Sequence, residues 1–223
     1  MSESGVKLFQ TWSSPLALRV VSALKLKGVK YETILEDLAN KIPSLLQYNP
    51  IHKKVPVLVH GGNTMVESLV ILEYIDEPWA VGYRLLPEDP YERSVTRFWA
   101  KFGDDRVFVS VWRAFFKEGK EQEEALLLAL NNLRFVEEHI KRKRFFRGDE
   151  IGFIDLIFGC VANLLSILEE VAKVKILDPQ TFPLLLAWIE VFSEVPVVKE
   201  NWPPREKMIV KFKAIREYYL ASN

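Results

Sequence analysis

Three short stretches hold residue types that can do chemistry together. Val55-Pro56-Val57-Leu58-Val59-His60 reads as a strand that opens at a proline. Proline donates no ladder hydrogen bond, so a strand can start at it but not run through it. A turn or a cis peptide at that point leaves the Val55 N–H and C=O facing outward, free to pair with something other than this chain. Glu67 and Ser68 stand at the head of a helical pattern (Leu69, Leu72, Glu73, Ile75, Asp76), where free amides and the positive dipole end favour an anion. Ser14 directly precedes Pro15, the arrangement of an N-cap serine with proline in the first turn of a helix. A free backbone edge beside an anion-ready helix start describes a site for a small, extended, charged ligand.

Other chemistries find less support. Thirty basic and thirty acidic residues cancel, so nothing in the charge balance points to nucleic acid or an anionic membrane. His52, His60 and His139 are too scattered for a metal site, and no glycine-rich phosphate loop occurs. The single cysteine, Cys160, excludes an internal disulfide, fits a reducing compartment and lies in an apolar helix as an inert core residue. The start MSESGVKLF lacks a basic-then-apolar signal, and no apolar run approaches about 18 residues. A soluble, cytosolic protein is expected. The basic run Lys141 to Arg144, with Arg147, reads as a helix C-terminus in solvent in preference to an anion site.

The elements that must position these residues alternate at first. Val6 to Phe9, Tyr31 to Leu35, Pro56 to His60 and Thr64 to Val66 read as strands, with Gly61-Gly62 as a tight turn. Helices are expected from Pro15 to Lys27, closed by Gly28, from Ile42 to Tyr48, and from Glu67 to Trp79. A crossover helix makes the second strand parallel to the first, and the final pair must be antiparallel. Ala80 to Pro90, with two prolines and a glycine, reads as a linker. Beyond it the pattern is helical: Tyr91 to Lys117 as one helix, then Glu121 to Lys141, Gly152 to Val171 as a central buried helix, Phe182 to Glu194, and Arg205 to Leu220. Two domains follow, residues 1–80 and 91–223, joined by a linker over 81–90.

At this point the chain resembles a cytosolic glutathione transferase of the plant tau class. The residues that carry the likeness are WSSP (Trp12 to Pro15), EDLANKIP (Glu36 to Pro43), NPIHKKVPVLVHGG (Asn49 to Gly62), ESLVILEYIDE (Glu67 to Glu77), LLPEDPYERSVTRFWAKF (Leu85 to Phe102) and FFRGDEIGFIDL (Phe145 to Leu156). They span nearly the full length. The resemblance implies a thioredoxin-like α/β N-terminal domain with a mixed four-stranded sheet, an all-α C-terminal domain, a homodimer, and glutathione as co-substrate with no tightly bound cofactor.

It also implies roles for individual residues. Ser14 would hydrogen-bond the glutathione sulfur. A thiol with a pKa of about 8.5 is mostly protonated at neutral pH, and a hydroxyl donor at a helix N-terminus stabilises the reactive thiolate. Ser13 is its loop neighbour. Arg19, one turn further on, either supports the thiolate's field or is an exposed or domain-bridging arginine. Val55 would offer its backbone to the cysteinyl part as an added strand, with Pro56 holding the edge open. Glu67 and Ser68 would take the ammonium and carboxylate of the γ-glutamyl end, and Lys41 and Lys54 the glycine carboxylate, with Lys53 facing solvent. The electrophile would bind between the domains, at Leu16, Phe108, Trp112, Phe115, Phe212 and Ile215. An aromatic stripe of this spacing is also an ordinary core pattern. Asp155, three residues after Gly152, matches the family's capping box with glycine in place of serine or threonine.

Conjugation of glutathione to hydrophobic electrophiles, with possible peroxidase activity, is the expected function. The alternative is a non-catalytic carrier of hydrophobic ligands using the same cleft. A thiol oxidoreductase of the dehydroascorbate reductase kind would need a cysteine where Ser14 stands.

Overall fold

Strand β1 (Val6–Gln10) lies inside the sheet, with Val6, Leu8 and Phe9 buried. It pairs in parallel with β2 (Glu32–Leu35) and antiparallel with β3 (Val57–His60), and β3 pairs antiparallel with β4 (Asn63–Val66), giving the order β2-β1-β3-β4. Leu8 stands opposite Thr33 on one side and Leu58 on the other, which fixes the register. This is the mixed four-stranded sheet expected from the alternation of elements. The crossover α1 (Pro15–Leu26) enforces the parallel pair. Helix α2 (Pro43–Tyr48) follows β2, and α3 (Ser68–Asp76) follows β4. The computed structural model describes residues 5–37, 42–79, 82–141 and 143–222.

The chain divides into two units, Met1–Leu86 with Glu200–Trp202, and Pro87–Lys199 with Pro203–Asn223. The first therefore runs into the linker expected over 81–90, as far as Leu86. The reason is a buried ion pair. The Lys27 side chain is wholly buried, with Nζ 2.5 Å from Asp76 Oδ1, and it also donates to the Trp79 carbonyl at 3.1 Å. The Asp76 carboxylate in turn accepts the N–H groups of Leu85 and Leu86 at 2.8 and 3.0 Å. Segment 85–86 is thus bound to α3, and both leucines are buried.

The second unit is helical: α4 (Pro90–Phe102), a π-helical turn (Gly103–Phe108), α5 (Val109–Phe116), α6 (Gly119–Ile140), α7 (Phe153–Ala172), α8 (Pro183–Ser193), a short α9 (Pro196–Lys199) and α10 (Arg205–Ala221). The single helix expected over 91–117 is therefore interrupted, and α9 went unread because four residues show no period. Helix α7 is buried along nearly its whole length. It approaches α8 so closely that a Cβ on Gly159 would lie 2.1 Å from the Phe192 ring, so only glycine fits there. At its start Asp155 accepts three buried donors: the N–H of Gly152 at 2.8 Å, that of Phe146 at 3.0 Å and Trp188 Nε1 at 2.8 Å. Among the described residues no helix is long and apolar enough to cross a membrane, and no cluster of side chains could hold a metal ion.

Candidate functional site

Ser14 is the N-cap of α1. Its backbone is extended, and the Ala17 N–H donates to its Oγ at 3.2 Å. A hydroxyl has two lone pairs and one proton, so accepting this bond leaves the proton available. Among the described residues that proton goes to no protein acceptor. Pro15 at the next position lacks an N–H, which suits the first turn, and the N-terminal end of α1 presents its positive dipole beside the hydroxyl. Ser13 is buried and Leu16 partly exposed.

One turn on, Arg19 is 2% exposed and its Nη1 donates to Ser68 Oγ at 3.2 Å. That bond ties α1 to the head of α3. Arg19 is therefore buried and not exposed, and it links α1 to α3 within the first unit. Ser68 is the first residue of α3, and Glu67 before it has φ +67°, a left-handed conformation uncommon for a residue with a side chain. Such a conformation costs of order 1–3 kcal/mol and gathers at sites that use it. The Glu67 side chain is exposed, with Oε1 3.6 Å from His52 Nε2.

The Val55–Pro56 peptide is cis. Val55 precedes β3, and among the described residues its N–H and C=O have no protein partner. The loop before it is braced by Asn49, a residue not singled out in the sequence. Its buried amide accepts the His52 N–H at 3.1 Å and donates to the Lys54 carbonyl at 3.0 Å, while its own carbonyl takes the Lys53 N–H at 2.9 Å. An Asn-Pro pair reads simply as a turn, and only the fold reveals that this asparagine shapes the approach to Val55. Lys53 (φ +53°) and Lys54 are exposed. Lys41 lies outside the described residues.

In the second unit Trp112 makes an edge contact with Phe108 (5.5 Å between ring centroids) and with Phe115 (5.6 Å), and lies 5.7 Å from Phe212. Phe115 and Phe212 are buried and back this cluster, whereas Phe108, Trp112 and Ile215 are partly exposed. Arg216 of α10 caps the end of α5, donating from Nε to the Phe115 carbonyl at 2.8 Å and from Nη2 to that of Lys117 at 3.3 Å.

Two family models match the chain, Glutathione S-transferase N-terminal domain over residues 4–77 and Glutathione S-transferase C-terminal domain over residues 98–196. The chain belongs to the glutathione S-transferases. Relatives place it in the plant tau class of that family. Glutathione transferase GST 23 of Zea mays is 43% identical over 222 residues, covering the whole of both chains. Glutathione S-transferase U8 of Arabidopsis thaliana is 44% identical over 214 residues, 96% of each chain. Among solved structures, the tau class glutathione S-transferase MiGSTU from mango matches with a TM-score of 0.89 at 36% identity, covering 95% of this chain and 98% of that one. Rice GST1 (OsGSTU1), solved in complex with glutathione, matches with a TM-score of 0.89 at 30% identity over 98% and 99% of the two chains. This glutathione S-transferase is an enzyme, with the thioredoxin-like and helical domains of its family.

Proposed function

We propose that Ser14 activates glutathione and that the resulting thiolate attacks hydrophobic electrophiles. The observation that carries this reading is the Ser14 hydroxyl, which caps α1 with a lone pair and keeps its proton to give. A thiolate held there receives that proton as a hydrogen bond and sits at the positive end of the helix, both of which lower the thiol pKa. In the reaction the sulfur forms a bond to the electrophilic carbon, the leaving group departs with the bonding electrons, and the thiol proton passes to solvent. With a hydroperoxide the same thiolate would attack the terminal oxygen as the O–O bond breaks and the alkoxide leaves to take a proton, and a second glutathione would convert the resulting sulfenic acid to glutathione disulfide and water.

The rest of the peptide follows from the first unit. Val55 pairs with the cysteinyl backbone as an added strand, on the edge kept open by cis Pro56. The free amides at the start of α3 and Ser68 take the γ-glutamyl carboxylate, and Glu67 its ammonium. Lys54, with Lys41, meets the glycine carboxylate. Phe108, Trp112 and Ile215 present apolar surface to the electrophile, backed by Phe115 and Phe212. A reduced glutathione pool suits a cytosolic location. Titrating the ultraviolet absorbance of the thiolate in the glutathione complex tests the reading. The bound thiol should ionise well below its free value of about 8.5, and an unshifted titration would favour the carrier role.

We also propose a homodimer formed through the face of α4 and α6. Phe98 is 62% and Phe135 55% exposed, joined through Phe102, whose ring lies 6.5 Å from Phe98 and 6.1 Å from Phe135. Sedimentation equilibrium at micromolar concentration should give twice the chain mass of 25.9 kDa. A single-chain mass would refute the pairing.

A further inference from the structure

The rod that begins as α4 and ends as α5 changes its winding at Gly103–Phe108, where it becomes π-helical. One residue inserted in this way turns everything beyond it by about 100° relative to an unbroken α-helix. Two aromatic faces flank the turn. Before it, Trp99 stacks on His139 of α6 at 3.9 Å and Phe102 meets Phe135 at 6.1 Å. After it, Trp112 lies 5.7 Å from Phe212 of α10, and Phe116 stacks on Trp112 at 5.2 Å and meets Tyr219 at 4.4 Å. The angle between the two faces therefore depends on the widened turn.

That turn is held at both ends. At its entry, a Cβ on Gly103 would come within 3.0 Å of Phe158 and 3.1 Å of Ile157, so α7 packs directly on the backbone. At its exit, two buried polar side chains meet its carbonyls. Asn132 of α6, 7% exposed, donates from Nδ2 to the Arg106 carbonyl at 3.2 Å and to Ser110 Oγ at 3.1 Å. Ser110, 2% exposed, donates to the Val107 carbonyl at 3.0 Å. A change of winding disturbs the regular pairing of helix carbonyls, and buried carbonyls need donors. The Arg106 carbonyl already takes the Val109 N–H, and Asn132 and Ser110 add side-chain donors to it and to the Val107 carbonyl.

We propose that Asn132 and Ser110 are positioning residues for the electrophile. They stabilise the π-helical turn, the turn aims Phe108 and Trp112, and that aim sets which electrophiles are accepted. The inference rests on the reading of Phe108 and Trp112 as electrophile-facing. Neither Asn132 nor Ser110 touches the substrate.

The test compares Asn132→Ala, Ser110→Ala, Ser110→Thr and Trp112→Ala with the unaltered protein, using glutathione with chlorodinitrobenzene and with benzyl isothiocyanate. Asn132→Ala and Ser110→Ala should each change the ratio of kcat/KM for the two electrophiles about tenfold, through the electrophile KM, with the KM for glutathione unmoved. Ser110→Thr keeps the hydroxyl and should restore the ratio. An equal fall in kcat for both electrophiles, with the ratio fixed, overturns the proposal and leaves the pair a packing role. If Trp112→Ala shifts the ratio while the other two do not, the positioning inference alone fails. If Trp112→Ala also leaves it fixed, the reading of the aromatic wall fails with it. Should Asn132→Ala not fold, Ser110→Ala, which removes one hydroxyl, decides the matter.

Discussion

Replacing Ser14 with alanine is expected to lower kcat for conjugation about a hundredfold or more, the usual effect of deleting one preorganised donor to a reacting anion. The substitution does two things, because Oγ also accepts the Ala17 N–H at 3.2 Å. Losing an N-cap costs about 1 kcal/mol, too little by itself to unfold a domain of ordinary stability. The two effects therefore separate. Melting temperature should fall by a few degrees, while the pKa of the bound thiol should climb back toward about 8.5. Binding of glutathione should be nearly retained, since the contacts proposed for Val55, Glu67 and Ser68 are untouched. Ser14→Thr keeps both the cap and the donor and should recover much of the rate. Conjugation at wild-type rates in Ser14→Ala would show that another group stabilises the thiolate.

Asp155→Ala should produce the largest loss of stability. It strands the N–H groups of Gly152 and Phe146 and Nε1 of Trp188, all buried. Each orphaned donor costs about 1–3 kcal/mol, so the total reaches about 3 kcal/mol or more, a large part of a domain's stability. Urea unfolding of the variant against the unaltered protein measures this, and a difference under about 1 kcal/mol would refute the account.

The same carboxylate gives a pH signature. Burial raises its pKa from 3.8 to about 6, outweighing the N–H donors of Phe146, Gly152, Trp188 and Arg147 that favour the anion. The folded protein thus holds this proton more tightly than the unfolded chain. Its contribution to stability is fully present below pH 3.8 and is lost as pH rises through about 6. The stability gap between the unaltered protein and Asp155→Asn should accordingly be widest in acid and narrow toward neutrality.

The sheet was legible because each strand announces itself locally, by the short apolar runs around Leu8 and Leu58, by Pro56 at the start of the latter and by the Gly61-Gly62 turn. The parallel start and antiparallel finish then followed from connection lengths. The π-helical turn was not legible. The buried positions Ala100, Val107, Val111 and Ala114 keep a helical spacing through it, so the period hides one extra residue. Its stabilising partner, Asn132, comes from another helix, and the Asn131-Asn132 pair in a helical pattern carries no signal of what either residue faces. Asn49 was hidden for a different reason: beside Pro50 it reads as ordinary turn punctuation, and its bonds to His52 and Lys54 exist only once the loop is folded. Ser14, Val55, Glu67 and Ser68 stood out because their types recur at a strand edge and at helix starts, where backbone groups are free.

The Lys27–Asp76 pair bears on how the molecule can be divided. Because Asp76 holds the N–H groups of Leu85 and Leu86, a fragment ending at residue 80 would leave that carboxylate short of two donors beside a buried ammonium. A fragment ending at Leu86 keeps them, yet it still lacks Glu200–Trp202, where Asn201 accepts from Lys25 at 2.5 Å. No single cut yields both units whole. Autonomous folding of the first unit is thus a question of reconstitution from two pieces, with residues 200–202 supplied apart from residues 1–86.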